Sequence, residues 1–424
     1  MRITQADVSD TQSLSSAISI EAVFQPVYSV REMKMIGVEA QCRGYSGISC
    51  DEVPAAQMIA QAESEGNVSE LDEICRNTAF KAFKEIPGKR PDFLLFLSIH
   101  SSMVEPCQDE SERLIERAFR YSIDPYSTVI EIDESEIKNI DSLIYFIQQY
   151  RKLGFLIALK KVGAKGSNLE RISLIKPDIV SIDKELISSI DELYYKQEVA
   201  KALLSLSNRI GALTIAKGIE RKQEALCCLE TGFDMLQGFF LSGSLTAGRI
   251  RPSDREPILG LGEQLREKVS IDIKQQQQDM LLRKEKINRI INRLAKKKAP
   301  EFASVLRSAL RSAEFIHCLY ILDNKGVQVT PTVTVKRLHR KKHRLFGPAS
   351  EGTDHSLKSY FLQRSGTSGL YFSRPYVSKA TGFHCVTASV EFSNCSGESY
   401  YLCMDLTHHI RNSHNRVITT KTIA

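Results

Sequence analysis

The stretch Gly154-Phe155-Leu156-Ile157-Ala158-Leu159 is an apolar run, and it leads through Lys160-Lys161-Val162-Gly163 into apolar residues at helical spacing, from Ser167 to Ile175. A second short apolar run, Ile179-Val180-Ser181-Ile182, follows Lys176-Pro177-Asp178 and ends at Asp183. Runs of this length favour buried strands. Strand, turn, helix and strand in this order predict parallel strands joined by a crossover helix.

The same alternation continues on both sides of this stretch, from about residue 20 to residue 245. The predicted strands are Val23–Val30, Lys34–Cys42, Phe93–Ile99, Thr128–Ile132, Phe155–Leu159, Ile179–Ile182, Leu213–Ala216 and Met235–Gln237. The predicted helices are Asp51–Ala62, Glu70–Glu85, Glu110–Tyr121, Ser135–Leu153, Ser167–Ile175, Lys184–Ser207 and Lys222–Thr231. The alternation predicts an α/β fold, a TIM-like (β/α) barrel, whose active site lies at the carboxyl ends of the strands. Polar residues stand at or near those ends: Glu39, Ser98, Glu131, Lys160, Asp183, Lys217 and Gln237.

Six further blocks, taken in order, resemble the EAL-domain phosphodiesterases, bacterial enzymes that linearise cyclic di-GMP. The blocks are Phe24–Tyr28, Ile36–Gly44, Leu95–Ser101, Val129–Glu134, Ala216–Glu220 and Leu236–Leu241. The resemblance runs from about Glu21 to Ser244 and implies a barrel of EAL type within residues 1–250.

The resemblance also implies a phosphodiesterase site with two metal ions, and the chain departs from that site at five positions. Ser98 stands for a metal-binding Asn, Lys160 and Lys161 for two metal-binding Asp residues, Ser181 for a catalytic Lys, and Lys217 for the proposed general base. Glu39, Glu131, Glu134 and Gln237 fall on retained positions. Divalent cations require oxygen ligands, and here they would face three ammonium groups. The sequence therefore predicts no metal, no cofactor and an inactive homologue, whereas residual hydrolysis requires Glu39, Glu131 and Glu134 to recruit one metal ion.

Three interpretations of Lys160, Lys161 and Lys217 stay open. They pair with Glu39, Glu131 and Glu220 in place of the metal, they meet the phosphates of an intact dinucleotide, or the barrel is a scaffold without a ligand. By resemblance, Arg43 matches an arginine that contacts a ligand phosphate, Gln25 lies near a guanine, and Asp183, Glu220 and Gln237 are further ligand candidates. The leading hypothesis is a non-catalytic signalling regulator that binds cyclic di-GMP or a protein partner.

Beyond the barrel, residues 251–299 are predicted to form a helical linker. Ile273, Met280, Ile287 and Leu294 recur every seven residues, although polar residues occupy the intermediate positions. A partly supercoiled helix that pairs two protomers and a solvated connecting helix with one apolar edge both fit this pattern. From residue 300 to 424, strand and turn signals such as Cys318–Val329, Leu370–Phe372, His384–Phe392 and Tyr400–Met404 resemble a PAS- or Cache-like sensory domain.

The composition sets the remaining expectations. The 424 residues carry a mild net charge of +6. No apolar run reaches the roughly 18 residues that a membrane span needs, so we expect a cytoplasmic protein. The basic run Lys336–Arg344 suggests binding to nucleic acid or an anionic surface. However, no helix-turn-helix pattern or interleaved aromatic residues accompany it, which favours a solvated loop.

Overall fold

The protein is represented by a computed structural model that describes residues 18–46, 51–100, 104, 116, 118–133, 137, 139–164, 169–335, 347–363 and 369–407. The chain divides into two units, Met1–Lys268 and Val269–Ala424. Glu134, the basic run 336–344 and most of the predicted helix Glu110–Tyr121 lie outside the described residues. The domain boundaries at 250 and 300 remain predictions.

The first unit contains the eight strands predicted from the sequence. Its strands are β1 (Ile18–Ser29), β2 (Lys34–Ser46), β3 (Glu52–Val53), β4 (Leu94–Ile99), β5 (Thr128–Ile132), β6 (Leu156–Val162), β7 (Ile179–Ile182), β8 (Leu213–Ala216) and β9 (Met235–Leu236). Only the two-residue strand β3, which extends the edge of β2, was not predicted.

These strands close into a barrel, which confirms the predicted TIM-like fold. The order is β1-β9-β8-β7-β6-β5-β4-β2, and β1 also pairs with β2, so no edge of the barrel is left open. From β2 through β4 to β9 all neighbours are parallel, whereas β1 runs antiparallel to both β2 and β9. The carboxyl ends of seven strands therefore meet at one end of the barrel. The amino-terminal part of β1 lies at the same end, because it pairs with the carboxyl-terminal part of β2.

Amphipathic helices cover the barrel and bury their apolar faces against the outer side of the strands. They are α1 (Ala55–Glu65), α2 (Val68–Lys84), α3 (Ile140–Lys152), α4 (Leu169–Ile175), α5 (Lys184–Ile187), α6 (Tyr194–Ile210) and α7 (Lys222–Thr231). The single helix predicted over Lys184–Ser207 is wrong, because the chain breaks between α5 and α6. Ser189 adopts a left-handed conformation there, with φ 55°, and its amide donates to the buried carboxylate of Glu224 at 2.8 Å.

One long helix, α8 (Glu256–Leu294), follows the barrel and lies within residues 251–299, where the sequence predicts a helix. Its first turns bury Ile258 and Leu261 in the core of the first unit. At its other end, Ile287 and Leu294 are buried in the core of the second unit, whereas Ile273 and Met280 are exposed. Two of the four residues of the seven-residue repeat are therefore buried in the protein's own core. Pairing of two protomers through this helix remains a prediction.

The second unit is built on an antiparallel sheet. Its strands are β10 (Ile316–Leu322), β11 (Val333–Thr334), β12 (Tyr371–Phe372), β13 (Tyr376–Val377), β14 (His384–Ser393) and β15 (Ser399–Thr407), and its helices are α9 (Phe302–Ser312) and α10 (Ser359–Leu362). The order is β11-β10-β15-β14-β12, with β13 also on β14. The three long strands, β10, β14 and β15, lie where strands are predicted from the sequence, whereas the PAS- or Cache-like assignment is not tested by this topology. No helix in the described part of either unit combines the length and hydropathy that a bilayer crossing requires.

Candidate functional site

A layer of polar side chains lies at one end of the barrel, directly above an apolar layer inside it. The apolar layer contains Val27, Phe96, Val129, Ala158, Ile179, Ile215 and Met235. Because side chains in a strand return to the same face every second residue, each apolar residue fixes the direction of a polar one two positions away. That rule brings together Gln25, Ser98, Glu131, Lys160, Ser181, Lys217 and Gln237, all of them chosen from the sequence.

Two buried carboxylates form the centre of this layer. Glu39 on β2 is 7% exposed, and Glu131 on β5 is fully buried. The ammonium group of Lys217 bridges them, with its Nζ 2.6 Å from Glu131 Oε1 and 3.0 Å from Glu39 Oε2. Gln237 Nε2 donates a further hydrogen bond to Glu39 Oε2 at 2.7 Å.

A second ammonium group lies on the other side of the same carboxylates. Lys160 Nζ is 3.6 Å from Glu39 Oε1 and 3.6 Å from Glu131 Oε2. It also donates to Ser98 Oγ at 2.6 Å, and Ser98 is paired in register with Glu131 on the neighbouring strand. The space where carboxylates could share a metal ion is thus filled by two lysine side chains.

The third lysine has a partner that the sequence did not predict. Lys161 forms an ion pair with Asp133, which directly follows β5, and not with Glu220. In a regular strand Lys160 and Lys161 would point to opposite faces, but the register of β6 shifts between Leu159 and Val162. Lys161 is also left-handed, with φ 56°, so both lysines reach acidic partners at the same end of the barrel. Asp133 could have been found from its spacing, because it lies two residues after Glu131.

The lysines change the acidity of the buried carboxyl groups. Burial opposes the charge of Glu39, yet Lys217 and Lys160 outweigh it and hold the pKa of Glu39 well below its ordinary value. Burial, followed by the Glu39 charge, raises the pKa of Glu131 against the effect of the same lysines. Burial would lower the pKa of Lys160, but Glu131 and Glu39 raise it. Glu39 and Lys160 are therefore charged at neutral pH, and Glu131 holds a proton more readily than Glu39 does.

Two polar atoms in this layer are buried without a hydrogen-bond partner among the described residues. They are Ser181 Oγ and Gln237 Oε1, on side chains that are 0% and 1% exposed. A buried polar atom left unpaired costs about 1–3 kcal/mol, so each is a position where a bound group or a water molecule would be favourable.

Glycines place two of these side chains. Gly218 follows Lys217 with φ +74°, and a Cβ atom there would lie 2.3 Å from the side chain of Lys184. Gly238 follows Gln237, and a Cβ atom there would lie 2.1 Å from the carbonyl oxygen of Ile219. Only glycine allows these close approaches, so the turns after β8 and β9 hold Lys217 and Gln237 over the barrel.

The remaining predicted residues lie around this cluster. Gln25 is buried and accepts a hydrogen bond from Gln41 at 3.3 Å. Arg43 is partly exposed and lies 3.6 Å from the carboxylate of Glu52. Asp183 accepts from the amide of Glu185 at 2.8 Å and so caps α5, which gives it a structural role. Glu220 is exposed and does not join the lysine cluster.

The residues do not fit a divalent metal ion. Both central carboxylates are already neutralised by ammonium groups at 2.6–3.6 Å, and a cation placed between them would be repelled by Lys160 and Lys217. Ser98 supplies only a hydroxyl group, which is held by Lys160. Within the described ranges, no group of three or more metal-binding side chains is gathered anywhere.

Comparison with known proteins identifies the barrel. A family model described as "EAL domain" matches residues 10–244, a little over half of the chain. YkuI of Bacillus subtilis, an uncharacterized EAL-domain containing protein, is 25% identical over 222 residues, which is 51% of this chain and 53% of YkuI. PdeI of Escherichia coli, a probable cyclic di-GMP phosphodiesterase, is 28% identical over 225 residues, 51% of this chain and 28% of PdeI. The chain thus spans about half or less of the length of these curated relatives.

Solved structures show the same fold. The crystal structure of YkuI in complex with c-di-GMP and calcium matches with a TM-score of 0.76 at 20% identity, covering 92% of this chain and 97% of that one. A standalone EAL protein from Vibrio cholerae O395, in its c-di-GMP bound form, matches with a TM-score of 0.50 at 22% identity, covering 58% of this chain and 99% of that one. The likeness to YkuI therefore extends beyond the barrel.

Proposed function

The chain belongs to the EAL-domain family, and from this premise we propose that its barrel binds cyclic di-GMP without hydrolysing it, as a non-catalytic signalling regulator. Phosphodiester hydrolysis of the two-metal kind needs carboxylates that hold cations about 3.5–4 Å apart and an activated water molecule. In this barrel the same carboxylates hold lysines.

One contact carries the proposal: the bridge of Lys217 Nζ between Glu131 and Glu39, at 2.6 and 3.0 Å. The family resemblance implies a general base at position 217, and an ammonium group with carboxylate partners cannot accept a proton from water. The same group occupies carboxylate oxygens that a metal would use. A single side chain thereby opposes two requirements of the reaction.

Ligand binding is supported by what the pocket still offers. Arg43 and Lys161 have cationic side chains near the carboxyl ends of β2 and β6. These side chains are 36% and 51% exposed, so solvent can reach them. Ser181 Oγ and Gln237 Oε1 are buried without a hydrogen-bond partner among the described residues, so a bound group that reaches them would gain a hydrogen bond. Both solved EAL structures named above hold cyclic di-GMP, a dianion whose phosphates need cationic partners.

Calorimetry of the full chain with cyclic di-GMP in the presence of EDTA tests binding without metal. We expect heat of binding and a single site per barrel. Adding Mn²⁺ and following the linear dinucleotide by chromatography tests hydrolysis, and we expect no turnover. Metal-dependent turnover contradicts the non-catalytic assignment, whereas absence of both heat and turnover leaves a protein partner as the occupant of the barrel.

The rest of the chain fits a regulator. We propose that the second unit is a sensory module of the PAS or Cache type, that the protein acts in the cytoplasm, and that it works as a homodimer or with a protein partner. Helix α8 is continuous from Glu256 to Leu294, and its two ends contribute residues to the hydrophobic cores of the first and the second unit. Gel filtration with light scattering measures the oligomeric state, and a monomer at micromolar concentration contradicts the dimer.

A further inference from the structure

The second unit contains a cavity of about 550 Å³. It lies against the sheet, and its lining includes residues of β10, β13, β15 and α10. This volume is within the range of about 300–1,000 Å³ that is typical of small-molecule sites. The barrel and its lysines take no part in it.

A buried carboxylate forms one side of this cavity. Asp405 on β15 is 3% exposed and lines the cavity. Its Oδ1 accepts hydrogen bonds from Tyr376 at 3.1 Å and Thr387 at 2.9 Å, and its Oδ2 accepts one from Ser378 at 2.7 Å. Three hydroxyl groups orient the carboxylate, and each of them is a neutral donor.

No lysine, arginine or histidine within the described ranges forms an ion pair with Asp405. The nearby imidazole of His317 is buried, and burial lowers its pKa despite the pull of Asp405, so His317 is neutral at physiological pH. Its Nε2 is 2.9 Å from Thr407 Oγ1 and is therefore engaged elsewhere. A buried anion without a cationic partner is costly, and a ligand that brings a positive group to Asp405 would offset that cost.

The opposite charge lines the accessible part of the same cavity. Lys358, Arg374 and Lys379 are exposed lining residues, and each can meet an anion that enters from solvent. The cavity is therefore polarised, with a fixed negative charge inside and three cations at its solvent side. This arrangement complements a molecule that carries both signs of charge, with the cationic group inserted first.

Aromatic rings form part of the wall of the cavity. Tyr320 stacks on His355 with ring centroids 5.2 Å apart and meets Tyr360 edge-on at 6.4 Å. Both nitrogens of His355 are used, one with Tyr360 at 2.8 Å and one with Gln328 at 3.0 Å, and burial lowers the pKa of the ring. His355 is thus a neutral wall residue and not a free metal ligand. The wall suits the aliphatic or planar part of a small molecule.

We propose that this cavity binds a small zwitterion of the α-amino acid class, with its ammonium group at Asp405 and its carboxylate at Arg374, Lys358 and Lys379. The cavity leaves room for a side chain beside Tyr320 and Tyr360. This site is separate from the barrel and does not rest on the proposed binding of cyclic di-GMP.

The probes are the standard L-α-amino acids, added one at a time to the full chain in a thermal-shift assay and followed by calorimetry. We expect at least one of them to raise the melting temperature and to bind with a stoichiometry of one. Its analogue without the amino group and its analogue without the carboxyl group should each bind at least about tenfold more weakly. The inference is overturned if no amino acid binds, or if either analogue binds as well as the parent.

Variants locate the binding. Asp405→Asn keeps the shape of the side chain and removes its charge, and we expect it to lose the thermal shift. Because Asp405 is buried and that variant could unfold, the exposed pair Arg374→Ala/Lys379→Ala provides a second test, with a predicted loss of about tenfold or more in affinity.

Lys325→Ala, which changes an exposed lysine outside the cavity, is the matched control and should bind normally. Unchanged affinity in the Arg374/Lys379 variant contradicts the site. Calorimetry with cyclic di-GMP on the same variants should be unaffected, which separates failure of this site from failure of the barrel.

Discussion

The Nζ atom of Lys217 lies 2.6 Å from Oε1 of Glu131, a side chain with no solvent exposure. These residues belong to the ends of β8 and β5, which are separated in the barrel by β6 and β7. The ion pair therefore crosses the barrel and joins strands that do not touch. A metal ion held by residues of several strands would join those strands in the same way. The ammonium groups of the lysines therefore link the strands electrostatically, as a shared metal ion would.

Replacing Lys217 by Met is expected to destabilise the protein. The change keeps most of the side-chain volume and leaves Glu131 and Glu39 with one ammonium group in place of two. Removing one partner of a buried ion pair costs about 3–5 kcal/mol, because the remaining charge is buried without compensation. Urea unfolding at neutral pH, monitored by circular dichroism, measures the loss.

The matched control is Lys201→Met, which removes an exposed lysine that lies 2.7 Å from Glu198 on α6. Ion pairs of this kind contribute about 0–1 kcal/mol, so the control should unfold close to the wild type. Equal losses in the two variants would show that the barrel does not depend on the Lys217 bridge.

The cost of Lys217→Met is expected to shrink as the pH falls. Burial raises the pKa of Glu39, but Lys217, first among the opposing charges, lowers it below the ordinary 4.5. The stabilisation from Glu39 is therefore present above its unfolded pKa and is lost as the pH falls through the lower folded pKa. Without Lys217 both carboxyl groups bind protons at higher pH, which removes the uncompensated charge. Unfolding free energies of variant and wild type should thus differ less at about pH 5 than at about pH 8. A difference that is constant or grows toward acid would contradict the assigned cause.

The strands and the direction of the site residues could be predicted because both depend on local sequence. Thr128–Ile132, Ile179–Ile182 and Leu213–Ala216 were predicted with the observed boundaries, since apolar runs bounded by polar residues define them. The period of two then places Glu131 and Lys217 in one layer above Val129 and Ile215.

Two features could not be predicted because they depend on contacts distant in sequence. The break after α5 forms where the amide of Ser189 meets Glu224, a residue of another helix. The pairing of Lys161 with Asp133 depends on a register shift between β6 and β7, and no local pattern specifies that shift. The charge reversal was readable from the sequence, and so was the pairing of lysines with Glu39 and Glu131 as one of three interpretations, whereas the pairing of Lys161 with Asp133 in place of Glu220 required the fold.

Arg43→Ala is expected to weaken binding of cyclic di-GMP. The family resemblance places Arg43 on a ligand phosphate, and its present partner, Glu52, is 3.6 Å away and 55% exposed, so the guanidinium can be released at little cost. Losing one charge-assisted hydrogen bond to a phosphate costs about 1.5–3 kcal/mol, a decrease in affinity of roughly tenfold or more. Calorimetry in EDTA measures it.

Arg90→Ala is the control for that experiment, because Arg90 is an exposed arginine that precedes β4 and pairs with Asp92. It lies before the amino end of its strand, away from the carboxyl ends that carry the polar layer. Equal affinity in the Arg43 and Arg90 variants would place the ligand somewhere other than predicted.

Restoring the residues implied by the family resemblance should create a metal site. The variant is Ser98→Asn, Lys160→Asp, Lys161→Asp, Ser181→Lys and Lys217→Glu. It removes three ammonium groups, adds one at position 181, and adds three carboxylates to the site that holds Glu39 and Glu131. Without metal these carboxylates repel one another, so we expect a lower melting temperature than in the wild type. Mn²⁺ supplies the missing positive charge and should raise the melting temperature of this variant, because a ligand that binds only the folded state stabilises it.

The wild type serves as the reference in the same titration and should show no Mn²⁺-dependent shift that EDTA reverses. A variant with only Lys217→Glu tests whether Lys217 alone keeps the metal out. Lys160 remains beside Glu39 and Glu131 in this variant, so we expect it still to exclude Mn²⁺ and to show no Mn²⁺-dependent shift. If the wild type gains as much stability from Mn²⁺ as the fivefold variant does, then Lys160 and Lys217 do not keep divalent ions out of this barrel, and the inference that fixed charge has replaced the metal fails.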